Sequence, residues 1–499
     1  MGNSQEKEIK LVSTTAGRKR LSALPLFRDK LVPGSQKTLT LVNRYYDTQD
    51  RKLTAGGMAY RIRETNGKEL EVTVKTQGRT VNGFSERGEY TQPLTKVETR
   101  LTGFDARLDQ KLATLLKDDE LLTLFTVDVI RQVALLQLSA VTIVEIAVDM
   151  GTITAGGRTA PIDEIELELK RGQEKELLRY TAALAQEIPL LPEEKSKFRR
   201  GMELLGYRGF KDDKAAKLSC SGEDDPIPVW QNLFRQQASF CLDILKEHHD
   251  DPEALNAKGF AQALDVCRGI WQLGQPFLSR SSWQKGRTLL SEARDNLMVL
   301  ERADHALDQA AKSFPDTWFS LQAGRAWLNG QQELGRGEAG AYWQQQAGAV
   351  LWQVIYLSCL TRPDDGAATV AGLRQKLWTV WQQEEVLLGE NGSRIPEDKE
   401  ANVLNLVGLM VLEKLVGNKP LYKRTIHYLR QWQRFTDDYR GFTLCVGGTK
   451  KAASQEEKLA LAAIAGMLGR KFVKDEAKLE EESRQLLKEL RKNKQLSCV

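Results

Sequence analysis

Two five-residue stretches decide the reading of this chain: Glu6-Lys7-Glu8-Ile9-Lys10 near its start and Glu164-Ile165-Glu166-Leu167-Glu168 far downstream. Successive side chains on a strand point to opposite sides of the sheet. Read as strands, the first stretch puts Glu6, Glu8 and Lys10 on one face, and the second does the same with Glu164, Glu166 and Glu168. A half-buried strand ordinarily turns an apolar row inward. One charged row alone would read as a solvated face. Several in one region point instead to a sheet curled around a charged interior, with its apolar rows outward under helices.

Further strands repeat the pattern. Arg61-Ile62-Arg63 places two guanidinium groups on one side, and Glu71-Val72-Thr73-Val74-Lys75 sets Glu71, Thr73 and Lys75 against Val72 and Val74. Arg87-Gly88-Glu89 adds a basic–acidic pair, and Val144 to Asp149 brings Glu145 and Asp149 to the same side. A closed antiparallel barrel of about eight strands can hold a small ligand in its lumen. A lumen lined by both carboxylates and cations suits a polyanion accompanied by a divalent metal. The carboxylates would take the metal, and the Arg and Lys the oxygens of the anion.

Composition narrows the chemistry. The chain has 499 residues, a net charge of +5 and 28% charged residues. That basic bias is too weak to indicate nucleic acid. No run of about 18 apolar residues is present and the chain opens directly on a charged strand, so neither a membrane span nor a leader is expected. The cytoplasm is the default location. The cysteines are Cys220, Cys241, Cys267, Cys359, Cys445 and Cys498, with no CxxC pair. The histidines are His248, His249, His305 and His427, so the first 247 residues contain neither His nor, up to residue 219, Cys. A metal in the barrel must therefore bind oxygen, which favours Mg²⁺ or Mn²⁺ over zinc. A His base and a Cys nucleophile are excluded there. A Gly-x4-Gly-Lys-Ser/Thr phosphate loop is also absent.

The expected organisation is an α+β domain over 1–206, a linker over 207–228, an all-α helical bundle over 229–474, and a charged helix or tail over 475–499. The first domain would be an eight-stranded antiparallel β tunnel with flanking helices. Leu39–Tyr46 reads as a strand followed by a turn at Asp47-Thr48. Leu108–Leu124 has a helical rhythm, and Glu174–Ala185 reads as a helix. From about Val229 the apolar spacing becomes helical: Phe260, Leu264, Cys267 and Trp271 form one face, and Leu290, Ala293, Leu297 and Leu300 another. Asp251-Pro252 reads as a helix cap. All ten tryptophans lie beyond Val229, enough bulk for a separate core. Asp475–Lys494 reads as a solvated helix.

Residues 1–206 closely resemble the CYTH family, also called triphosphate tunnel metalloenzymes. The resemblance rests on the ExExK start (Glu6, Glu8, Lys10), the Tyr46-Asp47-Thr48 turn and Arg61-Ile62-Arg63. It continues in family order through Thr73-Val74-Lys75, Arg87-Gly88-Glu89, the Glu145/Asp149 strand, the ExExE strand and Lys195-Ser196-Lys197. The second half is similar to CHAD domains in helical architecture, domain order and a short Ala293-Arg294-Asp295 stretch.

The resemblance implies a tunnel that binds inorganic triphosphate and hydrolyses it with Mg²⁺ or Mn²⁺. It implies Glu6, Glu8, Glu164, Glu166 and Glu168 as metal ligands, with Glu89, Glu145 and Asp149 binding a second metal or holding the basic residues. It implies Lys10, Arg44, Arg61, Arg63, Lys75, Arg87, Arg131 and Lys197 as phosphate contacts, with Arg200 at the tunnel mouth. Glu6, Glu8 and Lys10 are the catalytic candidates, and the acceptor of the water's proton stays open between Glu8 and Lys10.

Related readings are a nucleoside or thiamine triphosphatase, an adenylate cyclase of the same fold, or a non-catalytic polyphosphate-binding protein. An organic group would need a stacking surface, for which Tyr45, Tyr60 and Phe84 are candidates. The helical half lacks the histidines for which its family is named: Ala263 to Arg268 holds none. A structural or assembly role fits it equally well. Arg294-Asp295 reads as an ion pair within the bundle, and His248-His249 as a cationic helix end rather than a metal site. The oligomeric state is open.

Overall fold

The structure, a computed structural model, describes residues 2–76, 78–81, 84–99, 101–117, 119–209, 220–248, 256–314, 321–361, 369–383 and 400–496. The chain forms two compact units, Met1–Lys217 and Leu218–Val499.

The first unit is built on ten strands: β1 (Gly2–Val12), β2 (Lys37–Asp47), β3 (Met58–Thr65), β4 (Glu69–Thr76), β5 (Arg79–Val81), β6 (Phe84–Leu94), β7 (Leu122–Gln137), β8 (Ile143–Ala155), β9 (Arg158–Arg171) and β10 (Leu191–Pro192). Neighbours run β1-β9-β8-β7-β2-β3-β4-β6, and pairing of β6 with β1 closes these eight strands into an antiparallel barrel. The short strands β5 and β10 extend the edges of β6 and β1. The closing ladder sets Glu6 opposite Arg87, and the β1–β9 ladder sets Glu8 opposite Glu168 and Lys10 opposite Glu166. Gly156 and Gly157, at φ +56° and +75°, make the tight β8–β9 hairpin, a backbone conformation open to glycine.

Period-two alternation sorts the faces as expected. Ile9, Leu11, Tyr60, Ile62, Val72 and Val74 are buried. Of these, Tyr60, Ile62, Val72 and Val74 pack outward against Leu108, Leu112 and Leu116 of the helix Ala106–Leu116. Those leucines recur every four residues, which puts them on one helix face. Burying each stabilises by about 1.5–3 kcal/mol relative to exposure. Asp105 caps this helix, accepting from the Leu108 amide at 2.8 Å. The expected helix over Leu108–Leu124 is corrected here: Lys117 takes φ +51°, helical geometry stops, and from Leu122 the chain is strand β7. The helix Glu174–Glu187 buries Leu177, Leu178 and Leu184.

One end of the barrel interior is apolar. Leu41, Tyr45, Phe125, Val127, Val129, Ile153 and Ile162 cluster there with Met202 of the helix Lys197–Leu204. Gly201 permits this close fit, because a Cβ at that position would lie 2.2 Å from the Phe125 ring. The helix thereby fixes Lys197, at its first turn, against the charged interior.

The second unit is helical. Trp230, Phe234, Trp271 and Phe277 form an aromatic centre, with the Phe234 and Trp271 rings 4.9 Å apart. Phe260, Leu264, Cys267 and Trp271 are all buried on the helix Ala257–Leu273. The face Leu290–Leu300 is buried too, but it belongs to two helices, Arg280–Asp295 and Met298–Ser313. The first helix of this unit, Pro226–Glu247, starts at Pro226 with Asp225 as its cap. Asp251-Pro252 lies outside the described residues. The charged stretch from Asp475 is no separate element: it continues the helix Gln455–Leu496, and Leu479 and Leu486 bury one face against the cluster of Trp432 and Phe435. Among the described residues no helix is long and apolar enough to cross a membrane.

Candidate active site

The polar part of the barrel interior encloses a cavity of about 570 Å³. Its wall carries Glu6, Glu8, Lys10, Arg61, Arg63, Lys75, Arg87, Glu89, Arg131, Glu145, Glu166, Glu168 and Lys197. The sequence pattern thus brings residues from seven strands and one helix into one chamber. Asp149 and Glu164 stand behind this surface, buried and bonded to Lys197. Arg44 is not in the chamber. It pairs across the ladder with Ile62, on the outer face, and its guanidinium lies 3.4 Å from Glu64. Its expected phosphate contact is therefore corrected: strand parity turns it outward. Arg200 reaches Glu164 at 3.4 Å from the helix Lys197–Leu204.

Three ion clusters organise the chamber. In the first, Lys75 Nζ lies 2.8 Å from Glu6, Arg87 Nε is 3.2 Å from Glu6 with Nη2 on Glu8, and Lys10 is 3.1 Å from Glu8. Burial opposes ionisation of Glu6, yet Lys75 and Arg87 outweigh it and hold the carboxyl below its usual range. Glu8 is held low in the same way by Lys10 and Arg87.

The second cluster surrounds Lys197. Its Nζ lies 2.8 Å from Asp149 and 3.0 Å from Glu166, and it also bonds Glu164. Arg131 grips Asp149 with two bonds of 2.7 Å and reaches Glu166 at 2.5 Å. Burial works against the Lys197 charge, but Glu164, Glu166 and Asp149 prevail and raise its pKa. Carboxylate oxygens of Asp149, Glu164 and Glu166 all lie within 4.8 Å of one another. Three hard oxygen donors at this spacing, with no His or Cys on the cavity wall, fit a divalent cation of the Mg²⁺ or Mn²⁺ kind.

The third cluster is the least compensated. Glu168 meets Lys170 at 2.9 Å, and Lys170 also lies 3.6 Å from Glu145. Burial pushes the Glu168 carboxyl up to about 7, with Glu6 and Glu145 adding to the push. A divalent cation would relieve that excess of negative charge.

The β2–β3–β4 wall is cationic. Arg61 Nη2 donates to the Thr73 hydroxyl at 3.1 Å, and Thr73 lies 3.1 Å from the Thr91 hydroxyl. Arg63 is pulled down to about 10 by burial and by the facing Arg61 and Arg131. Of the aromatic candidates, Tyr45 lines the cavity but its ring stacks on Phe125 at 4.8 Å, and Tyr60 is buried in the outer core. The Phe84 side chain lies outside the described residues. Sequence reasoning missed Asn43, Thr91 and Lys170. Lys170 could have been found by extending the inward parity of Glu164, Glu166 and Glu168 by two residues.

In the helical unit Arg294 pairs with Asp265 at 3.1 Å and Glu301 at 2.5 Å, rather than with its neighbour Asp295. Arg268 joins the network through Asp265 at 3.0 Å and Glu400 at 2.9 Å. His248 ends the helix Pro226–Glu247, and His249 lies outside the described residues.

Comparison with known proteins shows what the N-terminal region is similar to. Residues 4–202 match the CYTH domain. The inorganic triphosphatase of Haemophilus influenzae is 35% identical over 214 residues, covering 42% of this chain and 57% of that protein. The matching segment thus spans a little over half the length of that relative. Two solved structures are similar to part of this chain at low identity. PptA from Streptomyces chartreusis is 16% identical, with 52% of this chain and 100% of that one covered at a TM-score of 0.40. HpAC1 from Hippeastrum, reported to have a dominant triphosphatase activity, is 17% identical, with 42% and 99% covered at 0.28.

Proposed function

We propose that this chain, whose N-terminal region is a CYTH domain, hydrolyses inorganic triphosphate to diphosphate and phosphate with Mg²⁺ or Mn²⁺ inside the barrel. The observation that carries this reading is the single chamber of about 570 Å³ in which hard carboxylates and a set of Arg and Lys side chains face one another. A polyanion bridged by a divalent cation satisfies both sets at once. The relative from Haemophilus influenzae, named an inorganic triphosphatase, supports the choice of substrate.

Glu166 on the wall, with Asp149 and Glu164 behind it, would hold the cation, with Glu168 on the same strand, Glu8 and Glu6 on the neighbouring strand β1, and Glu145 and Glu89 further round the wall. When bound, the cation neutralises charge on the phosphate oxygens. Arg61, Arg63, Lys75, Arg87, Arg131, Lys10 and Lys197 would clamp the remaining oxygens. Phosphoryl transfer demands mostly positioning and neutralisation of charge, which cations fixed on the chamber wall supply. A water molecule would attack the terminal phosphorus: its O–P bond forms, the bridging P–O bond to diphosphate breaks with its electron pair staying on the diphosphate oxygen, and the water gives up one proton to solvent, leaving diphosphate and hydrogen phosphate. Glu8 and Lys10, 3.1 Å apart, would orient that water. The Tyr45 ring is engaged with Phe125 and Phe198, which leaves it a poor platform for an organic base and favours the inorganic substrate.

The experiment is phosphate release from inorganic triphosphate by the full chain and by Glu6→Gln, with Mg²⁺ or with chelator. Turnover by wild type that vanishes with chelator and falls at least a hundredfold in Glu6→Gln supports the assignment. Chelator-resistant turnover, or a fully active Glu6→Gln, overturns the metal-dependent tunnel mechanism.

A further inference from the structure

The cations of the chamber are held in two ways. Arg87 and Arg131 each bond two carboxylates, Glu6 and Glu8 for the first, Asp149 and Glu166 for the second. Their charge is largely cancelled before any ligand arrives. Arg63 is different. Its Nε donates to Oδ1 of Asn43 at 2.8 Å, and its nearest carboxylate is Glu71 at 3.4 Å. The Glu71 side chain is 34% exposed, so solvent screens that pair.

Asn43 is only 3% exposed, and its amide has one orientation. Its Nδ2 donates to the Val127 carbonyl at 3.1 Å across the β2–β7 ladder, so its oxygen must face Arg63. A flipped amide would set an NH₂ against a guanidinium and an oxygen against a carbonyl, losing both bonds. The β2–β3 register places Asn43 directly opposite Arg63. A carboxylate here would cancel the arginine's charge. A neutral amide aims the group and leaves the charge for a ligand.

We propose that Asn43 is a positioning residue that holds Arg63 toward the cavity, paired only with the solvent-screened Glu71, for a non-bridging oxygen of the bound triphosphate. The assignment rests on the triphosphatase reading above. Asn43 touches no substrate itself. Its effect therefore falls on affinity, through Arg63.

The test is calorimetric binding of inorganic triphosphate to the full chain carrying Asn43→Ala, Asn43→Asp, Arg63→Ala or Asn43→Ala with Arg63→Ala, together with KM and kcat for phosphate release. Asn43→Asp preserves shape and the acceptor, so it remains informative if the alanine variant does not fold. Each single substitution is expected to weaken binding and raise KM about tenfold, the scale of one hydrogen bond to a charged group, with a smaller change in kcat. Asn43→Ala should add less than twofold once Arg63 is already alanine. A folded Asn43→Asp protein with wild-type affinity, or additive effects in the double variant, overturns the assignment of Asn43 alone. Wild-type protein that binds no triphosphate overturns the reading on which it rests.

Discussion

Lys197 Nζ lies 2.8 Å from a carboxylate oxygen of Asp149, in a pocket it shares with Glu164 and Glu166. The ammonium is the internal counter-charge of the three-carboxylate group. Removing one partner of a buried ion cluster leaves the others uncompensated, at a cost of about 3–5 kcal/mol. Lys197→Met should therefore melt well below wild type in chelator. A divalent cation can replace the lost charge, so Mg²⁺ should raise the melting temperature of the variant more than that of wild type. Thermal melts of both proteins with and without Mg²⁺ check this; an equal response to Mg²⁺ would show that the carboxylates do not gather the cation.

Glu168 gives the barrel a pH dependence of known sign. Its carboxyl is pushed from 4.5 up to about 7, so the folded protein binds this proton more tightly than the unfolded chain. Its stabilising effect is fully present below about pH 4.5 and is lost as pH rises through about 7. Glu168→Gln removes the titrating charge. In chelator, wild type should lose roughly 1–3 kcal/mol relative to the variant between pH 5 and 8. Parallel stability curves for the two proteins over that range would contradict the burial argument.

Strand parity separates Arg61 from Arg44. Arg61 faces the chamber and bonds Thr73, whereas Arg44 faces outward beside Glu64. Arg61→Ala should raise KM for triphosphate at least tenfold, the scale of a lost charge-assisted contact. Arg44→Ala should leave KM and kcat within about twofold and stability within about 0.5 kcal/mol, as befits a partly exposed ion pair. Steady-state kinetics on the two variants decide it, and a larger effect at Arg44 would place the wrong face inward.

Asp47 carries a purely structural prediction. Its buried carboxylate accepts from the backbone amides of Thr48 at 2.7 Å, Leu53 at 2.9 Å and Thr54 at 2.9 Å, and from the Thr54 hydroxyl at 2.6 Å. Asp47→Ala strands several buried donors and should cost about 2–4 kcal/mol in chemical denaturation. A loss below about 1 kcal/mol would mean that water or another acceptor takes over the turn.

The barrel was legible because charge and apolarity alternate with period two on many strands, and that alternation places Glu6, Arg61, Lys75, Glu166 and Glu168 on one wall without any knowledge of pairing. What failed depends on information that periodicity does not hold. Arg44 sits one residue out of phase with Asn43 and Tyr45, and that phase turns it to the outer face. The leucines of 108–124 keep a helical rhythm across Lys117, whose positive φ ends the helix. The Leu290–Leu300 face crosses a break at Asn296 and Leu297 in the same way. Asn43 was invisible because a neutral amide has no compositional signature; its importance arises from the cross-strand register that sets it against Arg63. Lys197 was found through resemblance, since its helix reaches the chamber only by packing Met202 and Gly201 against the apolar end of the barrel.

The most direct measurement is ³¹P NMR of inorganic triphosphate incubated with the full chain and Mg²⁺, alongside ATP and thiamine triphosphate. The account predicts diphosphate and phosphate signals growing together from inorganic triphosphate, fastest among the three substrates, and stopping on addition of chelator. Triphosphate that stays intact with Mg²⁺ or Mn²⁺ while ATP is cyclised or hydrolysed, or turnover indifferent to chelator, would contradict it.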